Sequence, residues 1–219
     1  MKKLLVLLCS LFTVVSCTPK LPAVQGAPTD CVLVYAEGRV TMDGKEISIG
    51  AKIINGALLK TDGNGIAEMV FNDKNIVKMG PLTVLRLDTS TLKRVVSLES
   101  GTFTAVLRKL DKLAGGTLEV RTPTAIAGVR GTSFFARVNP SEGETYFCAC
   151  NGTLKLSTTD GSLGITKSSY HHNGTIFSGD PGDVKILTPP SGFDVGHTDK
   201  DLEDLASRIE ETMDWSKLE

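Results

Sequence analysis

Two pairs of side chains able to bind a metal ion occur in the second half of the sequence. Cys148 and Cys150 are separated by one residue in the stretch YFCACNGTLKL, which reads as a β-strand running out of an Asn-Gly turn. His171 and His172 follow in SSYHHNGTIF, beside another Asn-Gly turn that could end a hairpin with the cysteine strand. Two thiolates and an imidazole form a donor set suited to zinc or another soft metal.

The geometry of a strand limits how many of these residues can meet. Adjacent residues on a regular strand face opposite ways, so only one of His171 and His172 would reach the thiols unless the pair lies in a turn. His197 is the third histidine, and nothing in the sequence places it near the others. The metal hypothesis therefore uses Cys148 and Cys150 with one or both members of the His-His pair.

The same thiols have two other interpretations. Cys31, at the start of the first predicted strand, could form a disulfide with Cys148 or Cys150 and leave one thiol over. A bond between Cys148 and Cys150 is disfavoured, because alternate strand residues lie about 6.6–6.8 Å apart, at the edge of the allowed Cα separation. The third interpretation is that the thiols are buried and inert, and the sequence leaves all three open.

The amino-terminal residues predict export from the cytoplasm. Lys2 and Lys3 precede an apolar run over residues 4–15 that is too short to span a bilayer, as expected of a signal peptide at residues 1–16. The run ends in Val-Val-Ser-Cys, which resembles the lipobox of bacterial lipoproteins. That resemblance implies a lipid on Cys17 and a membrane-anchored protein in the cell envelope, facing the periplasm or the cell exterior. Because Thr18 is not acidic, the outer membrane is favoured.

Composition and motifs exclude several classes of function. The chain has 24 basic and 25 acidic residues, and it lacks a basic stripe for binding nucleic acid. It also lacks the motifs of serine hydrolases, zinc proteases and phosphate-binding loops. We therefore expect a protein that is not an enzyme.

The pattern of the remaining chain predicts an all-β fold. Residues 17–30 read as a flexible, proline-containing tether, and residues 31–190 as a β domain of short alternating runs broken by glycine. The stretches AEGRV, ESGTF and CNGTL each put a glycine between a polar turn and a returning strand, which suits a short β-solenoid or a sandwich. Residues 191–219 predict a linker and one amphipathic helix, with an apolar stripe of Leu202, Leu205, Ile209 and Met213.

The most specific stretch is TLEVRTPTAIAGVRGTSFFARV, residues 117–138. Thr122-Pro123 ends a strand, and Gly128 and Gly131 bracket Val-Arg, allowing positive φ or close backbone approach. This pattern resembles the signature of the FecR domain, and the resemblance extends over residues 32–157. It implies an all-β extracytoplasmic domain that binds or relays and has no catalytic residues. The best-known members also carry a membrane helix and a cytoplasmic segment that controls a sigma factor, so the lipid anchor makes such direct control unexpected here.

The signature also contains a candidate ligand-binding residue, Arg130. Its guanidinium could tie loop carbonyls together, or it could bind a carboxylate or phosphate of a ligand. The main functional hypothesis is an envelope lipoprotein whose β domain binds a protein or cell-wall component in sensing, signalling or assembly. The alternatives are a metal-binding or metal-sensing lipoprotein and a purely structural envelope protein.

Overall fold

A computed structural model describes residues 31–72, 74–88, 93–108, 110, 116–180 and 182–218. Within these residues the chain forms fifteen β-strands and one α-helix. The elements are β1 (Val32–Glu37), β2 (Val40–Met42), β3 (Lys45–Glu46), β4 (Leu58–Thr61), β5 (Ile66–Phe71), β6 (Asn75–Met79), β7 (Val84–Asp88), β8 (Lys93–Leu107), β9 (Thr117–Arg121), β10 (Ala125–Val129), β11 (Ser133–Asn139), β12 (Glu144–Thr158), β13 (Gly164–Ser169), β14 (Asn173–Ser178), β15 (Lys185–Leu187) and α1 (Asp199–Ser207). The predicted all-β class with one helix near the C-terminus is confirmed.

The strands form two sheets that share a single apolar core. Sheet A has the order β1-β5-β6-β8-β11-β12-β14-β15. Sheet B has the order β3-β2-β4-β7-β8-β9-β10-β12-β13, in which the β8–β9 pair is parallel. One buried cluster contains residues from both sheets, including Phe103 and Phe147 from sheet A and Leu85 and Leu156 from sheet B. Of the two predicted architectures, the structure is therefore the sandwich.

Two long strands, β8 and β12, pass from one sheet to the other. β8 pairs in sheet B up to Ser100 and in sheet A from Gly101 onward. β12 runs the opposite way, pairing in sheet A up to Asn151 and in sheet B from Gly152 onward. Both bends fall on a glycine with positive φ, +84° at Gly101 and +122° at Gly152. A side chain would be strained in either conformation.

A threonine hydroxyl stabilises each bend from the neighbouring segment. At the β12 bend, the Thr132 hydroxyl donates to the Thr153 carbonyl at 3.0 Å and accepts from the Thr153 amide at 3.2 Å. At the β8 bend, the Thr83 hydroxyl bonds in the same way to the carbonyl and amide of Thr102, at 3.1 and 2.9 Å. The hydroxyls thus satisfy backbone groups at the point where the ladder is interrupted.

These bends correct the interpretation of two glycine stretches in the sequence. ESGTF and CNGTL do not form turns between strands, because Gly101 and Gly152 lie inside β8 and β12. A glycine that allows positive φ in a strand interior produces the same local pattern as a glycine in a turn. The Asn-Gly pair that follows the two histidines is also not a turn, since Asn173 is the first residue of β14.

The outer face of sheet A is covered by the C-terminal segment, which we define as residues 188–218. The helix α1 begins with a capping box, in which Thr198 accepts from the Asp201 amide and Asp201 accepts from Thr198. Leu202, Leu205 and Ile209 are buried in a second apolar cluster on this outer face. Sheet A is therefore buried on both faces.

The helix is shorter than the predicted amphipathic stretch, which continued to residue 219. It ends at Ser207 because Glu210 adopts a left-handed backbone with φ of +56° and the Glu211 amide bonds back to the Ala206 carbonyl at 3.1 Å. Met213 and Trp215 pack against the outer face from the irregular chain that follows. No helix in the described part of the chain is long and apolar enough to span a membrane.

The bend at Gly152 can be tested by G152A. A Cβ at this position would lie 2.8 Å from the Thr132 side chain, in addition to the strain of positive φ. We expect the free energy of unfolding to fall by about 2–4 kcal/mol, measured by urea denaturation.

The matched control is G161A. Gly161 also has positive φ, +74°, but a Cβ there would meet nothing within 4 Å, so we expect a loss of about 1 kcal/mol from strain alone. Equal losses in the two variants would contradict a steric role for the contact between Gly152 and Thr132.

Candidate metal centre

Strand β12 places both candidate thiols on the outer face of sheet A. Side chains alternate along the strand, so Phe147 and Ala149 enter the core between the sheets while Cys148 and Cys150 project outward. The two cysteines are 1% and 0% exposed. Their placement on one face, two residues apart, directs both sulfur atoms into the space beneath the C-terminal segment.

Cys31 lies elsewhere and forms no disulfide with Cys148 or Cys150, which was one of the three interpretations that the sequence left open. All three cysteines of the described chain are free. Cys31 packs in the core between the sheets, whereas Cys148 and Cys150 belong to the cluster on the opposite face of sheet A. The structure thus corrects the predicted pairing, because the sheet itself separates Cys31 from the other two thiols.

The turn between β13 and β14 brings His172 to the thiols. Its φ of +48° is left-handed, and its amide donates to the Cys150 carbonyl at 3.0 Å. The Nδ1 atom of His172 lies 3.5 Å from the Cys148 sulfur. Gly174 pairs with Cys148 across the strands, and a Cβ there would lie 2.7 Å from the Tyr146 ring. The close approach of β14 to β12 therefore requires glycine at this position.

His171 does not reach the thiols, although it was one of the four predicted ligands. Its Nε2 atom bonds to the Asp199 carboxylate at 3.0 Å, and its side chain is about half exposed. The two histidines lie in a turn, where the strand argument does not apply, and both bond to Asp199 although only His172 reaches the thiols. His171 occupies the rim of the site, on the side of helix α1.

His197 completes the cluster, although no sequence pattern predicted its position there. Its Nε2 atom lies 3.3 Å from the Cys150 sulfur and 3.2 Å from the His172 Nδ1 atom. Its ring stacks on Phe135 with centroids 4.3 Å apart. The only available signal was its position, one residue before the Thr198 cap of a helix whose apolar stripe had to pack on the β domain.

Three of the six separations among the four donor atoms agree with those of a tetrahedral metal site. The sulfur atoms of Cys148 and Cys150, Nδ1 of His172 and Nε2 of His197 all lie within 4.8 Å of one another. Zinc bonds of about 2.3 Å to sulfur and about 2.05 Å to nitrogen give tetrahedron edges of about 3.3 Å for N–N and about 3.6 Å for N–S. The observed N–N distance is 3.2 Å and the N–S distances are 3.3 and 3.5 Å.

Hydrogen bonds outside the cluster orient both imidazoles. His197 donates from Nδ1 to the Val195 carbonyl at 2.9 Å, and His172 donates from Nε2 to the Asp199 carboxylate at 2.6 Å. Carbonyl and carboxylate oxygens only accept, so these partners fix the tautomers and leave Nε2 of His197 and Nδ1 of His172 with lone pairs. Both lone pairs point at the thiols.

The cluster makes one thiol acidic. The hydrogen bond from Cys150, followed by those from His172 and His197 when their imidazoles are protonated, lowers the pKa of Cys148 to about 3 in spite of its burial. Burial, followed by the hydrogen bond to Cys148, raises the pKa of Cys150. Cys31 has no such partners, and burial raises its pKa to about 12. In the absence of metal, the thiolate form is therefore favoured at Cys148 and opposed at Cys150 and Cys31.

The site is shielded on one side and open on the other. The Trp215 ring stacks on His172 with centroids 5.4 Å apart. On the opposite side, a cleft of about 470 Å³ is lined by Cys148, His172, Val195, His197, Thr198, Asp199 and Lys200. A metal ion can therefore reach the donors without passing through the core.

The other predicted site residues lie apart from this cluster. Arg130 is exposed at the end of β10, and within the described chain it makes no hydrogen bond or ion pair, so it does not tie loop carbonyls together. Cys17, the signal peptide and the tether lie outside the described residues. The tethering and lipid predictions for residues 1–30 stay predictions.

The signature stretch forms the β9–β10 hairpin and the turn into β11. The Thr122 hydroxyl donates to the Ala125 carbonyl at 2.9 Å and accepts from its amide at 3.0 Å, which closes the turn after Pro123 ends the β9 ladder. Gly131 has the expected positive φ of +58°. Gly128 does not, because it pairs as an ordinary strand residue with Glu119 and Lys155.

The chain resembles a known protein family and, more distantly, solved structures. The model of the family described as FecR protein matches residues 57–167, just over half of the 219-residue chain. Two crystal structures of a candidate anti-sigma factor from Parabacteroides distasonis, at 1.65 and 2.50 Å resolution, are each 16% identical with a TM-score of 0.49. These matches cover 60% of this chain and 59% of that protein, less than two thirds of its length. No curated protein sequence matches the chain significantly.

The family match includes β4 to β13 and therefore most of both sheets, the two bends and the signature hairpin. Cys148 and Cys150 fall inside the match, and His172 and His197 fall beyond it. On the strength of that match and of the signature that the sandwich displays, the chain belongs to the FecR family.

Proposed function

We propose that this FecR-family protein is a cell-envelope sensor that binds one zinc ion through Cys148, Cys150, His172 and His197. Members of the family are regulatory, envelope-associated proteins rather than enzymes, and this chain shares the signalling class. The observation that carries the metal proposal is the convergence of two thiols and two imidazole nitrogens at the edge lengths of a zinc tetrahedron.

The facing nitrogens give the strongest physical reason for a cation. Nδ1 of His172 and Nε2 of His197 are 3.2 Å apart, and the outer hydrogen bonds leave both as acceptors. Two lone pairs at this distance repel unless a cation or a proton lies between them. The acidic Cys148 thiol in contact with His172 adds negative charge at the same place. A metal ion bonds to all four donors at once, whereas the thiol protons can satisfy each nitrogen only through its own sulfur contact, at 3.5 Å for Cys148–His172 and 3.3 Å for Cys150–His197.

The donor types favour zinc over other metals. A tetrahedral set of two sulfurs and two nitrogens is typical of zinc, whereas calcium, magnesium and manganese prefer oxygen ligands. All four positions are filled by protein, which is the pattern of structural and sensing sites rather than of catalytic zinc, where one position is open to substrate. The site therefore fits a regulatory protein.

Metal content tests the proposal directly. Protein purified without chelator and then loaded with zinc should hold one zinc per chain by elemental analysis, because all four donors are supplied by one chain. The double variant C148S/C150S and the single variant H172A should lose this stoichiometry.

The matched control is H171A, which removes the neighbouring imidazole that does not face the thiols. It should retain one zinc per chain. Stoichiometric zinc in C148S/C150S, or none in the zinc-loaded native protein, would refute the proposal.

Asp199 is expected to tune the affinity without contacting the metal. Its carboxylate accepts from Nε2 of His172 at 2.6 Å, which fixes the tautomer and orients the ring. D199A should weaken zinc binding about 10- to 100-fold, as measured by competition with a chromogenic chelator.

The control for Asp199 is D204A, which removes another acid of helix α1 that pairs only with Lys200 on the exposed side. It should leave zinc affinity within about 2-fold of the native value, since a surface ion pair contributes little. A similar loss of affinity in both variants would show that helix charge, and not the hydrogen bond to His172, is responsible.

We also propose that the chain is anchored by lipid on Cys17 and carried to the outer membrane. The support is the apolar run of residues 4–15 followed by Val-Val-Ser-Cys. Residues 17–30 would then act as a tether of at most about 50 Å, at roughly 3.5 Å per residue, between the lipid and strand β1. Such a tether would let the metal-binding domain meet an envelope protein or the cell wall.

Intact-mass measurement of native material tests the anchor. The mature chain should begin at Cys17 with acyl chains attached, and C17A should fractionate with soluble envelope proteins, because removal of the acyl chains abolishes the anchor. An unmodified Cys17 in protein extracted from membranes would contradict the proposal.

A further inference from the structure

The four donor side chains come from two separate parts of the chain. Cys148 and Cys150 lie on β12, and His172 lies in the turn before β14, so these three donors belong to sheet A and its connections. His197 belongs to the C-terminal segment, as does Asp199, which holds the second imidazole. A metal bound at the centre would therefore join the C-terminal segment to the sheet.

The C-terminal segment covers an apolar surface that would otherwise face solvent. The covered residues on the outer face of sheet A are Ile76, Val106, Phe135, Tyr146 and Ile176. Helix α1 packs on them through Leu202, Leu205, Ala206 and Ile209. Removal of the segment would expose a contiguous apolar strip on the sheet, beside the two thiols.

The segment has little capacity to fold without the sheet. Its helix has nine residues, shorter than an isolated helix needs to be stable in water, and its last turn has no basic residue to complement the helix dipole. The remainder is irregular chain on either side. The helix therefore depends on docking, and whatever strengthens docking also orders the segment.

Polar contacts that do not involve the four donors hold the C-terminal segment to sheet A at and beyond the end of helix α1. Arg208 pairs with the buried Glu68 at 2.8 Å, and Lys74 pairs with Glu211 at 2.9 Å. Asn151 donates to the carbonyls of Asp214 and Lys217 at 2.8 and 3.1 Å. Acids outnumber bases in the segment, so it is attracted to the basic residues at the rim of sheet A.

Trp215 contacts both the candidate metal centre and helix α1. Its ring stacks on His172, and its Nε1 atom donates to Glu203 of helix α1 at 2.9 Å. It is the single tryptophan of the protein. Its fluorescence therefore reports whether the C-terminal segment is docked beside the metal centre.

We propose that the metal at this centre acts as a lock that keeps the C-terminal segment on sheet A, and that metal loss releases the segment and exposes the apolar face beneath it. The inference rests on the proposed zinc site. It adds regulation to that site, because His197, the ligand whose position depends on docking, belongs to the C-terminal segment itself. The metal state is thereby converted into the exposure of a surface in the envelope.

The coupling must act in both directions. The docked form offers four ligands and the released form offers three, so the docked form binds the metal more tightly. By linkage, docking strengthens metal binding by the same factor by which the metal strengthens docking, so a change that releases the segment weakens metal binding by up to that factor. This reciprocity gives two independent measurements of one coupling.

The first measurement compares the zinc-loaded protein with the same protein after chelator treatment. Trypsin cleavage after Lys200 and Arg208 should be about 10-fold slower with zinc, within the usual range of such coupling. The Trp215 emission should shift to longer wavelength in the chelated protein, and hydrogen exchange should increase over residues 197–215. Amides of the core strands should exchange at the same rate in both states.

The second measurement uses a substitution that loosens the segment without touching a ligand. L205A removes a buried contact of helix α1 and should weaken zinc binding about 10-fold. L156A is the matched control: it deletes the same atoms from the core between the sheets, on β12, and should lower global stability without changing zinc affinity.

The outcomes separate this inference from the proposed function. Stoichiometric zinc binding with unchanged cleavage, emission and exchange would overturn the lock and leave the zinc site in place. A zinc affinity in L205A equal to that of L156A would also overturn it. Failure of the native protein to bind zinc at all would overturn the site and the lock together.

Discussion

The alternation of side chains along β12 is the constraint on which the site depends. The strand belongs to sheet A until Asn151 and to sheet B from Gly152, so its last residues in sheet A are those that carry the thiols. Because sheet A is covered on both faces, alternate residues enter two different apolar clusters. A shift of one residue in register would send Cys148 and Cys150 into the core between the sheets and bring Phe147 to the metal centre. The bend, held by Thr132, therefore fixes both the sandwich and the position of the donors.

The candidate metal centre combines a family framework with additions to it. The FecR match includes the strand that bears Cys148 and Cys150. The chain beyond residue 167 supplies His172, His197 and the C-terminal segment with helix α1. A common sandwich can thus acquire a specific binding site through one added turn and a terminal segment that packs on one sheet face. This division agrees with the general observation that function lies in sites built onto a fold rather than in the fold itself.

Sequence reasoning identified the fold class, the family signature and three of the four converging donors, because these depend on local patterns: alternation, glycine and proline positions, and clustered cysteine and histidine. It failed where the outcome depends on contacts between distant parts of the chain. His197 joins the site through the packing of helix α1, which no local spacing encodes. Gly101 and Gly152 looked like turn glycines because positive φ has the same sequence signature in a turn and in a bent strand. Cys31 seemed available for pairing because the side of the sheet on which a residue falls cannot be read without the register.

The separation of the thiols has a consequence for folding in the oxidising compartment that the proposed export would reach. Cys31 is buried inside the sandwich, and the other two described cysteines lie across sheet A from it. The folded state therefore contains no disulfide among these three. In an oxidising compartment, any cross-link between Cys31 and Cys148 or Cys150 would form only in chains that have not yet folded, and it would trap them there. In a chain exported as proposed, the sandwich must therefore fold faster than the thiols oxidise. Early binding of the proposed metal ion to Cys148 and Cys150 would protect both thiols until folding is complete.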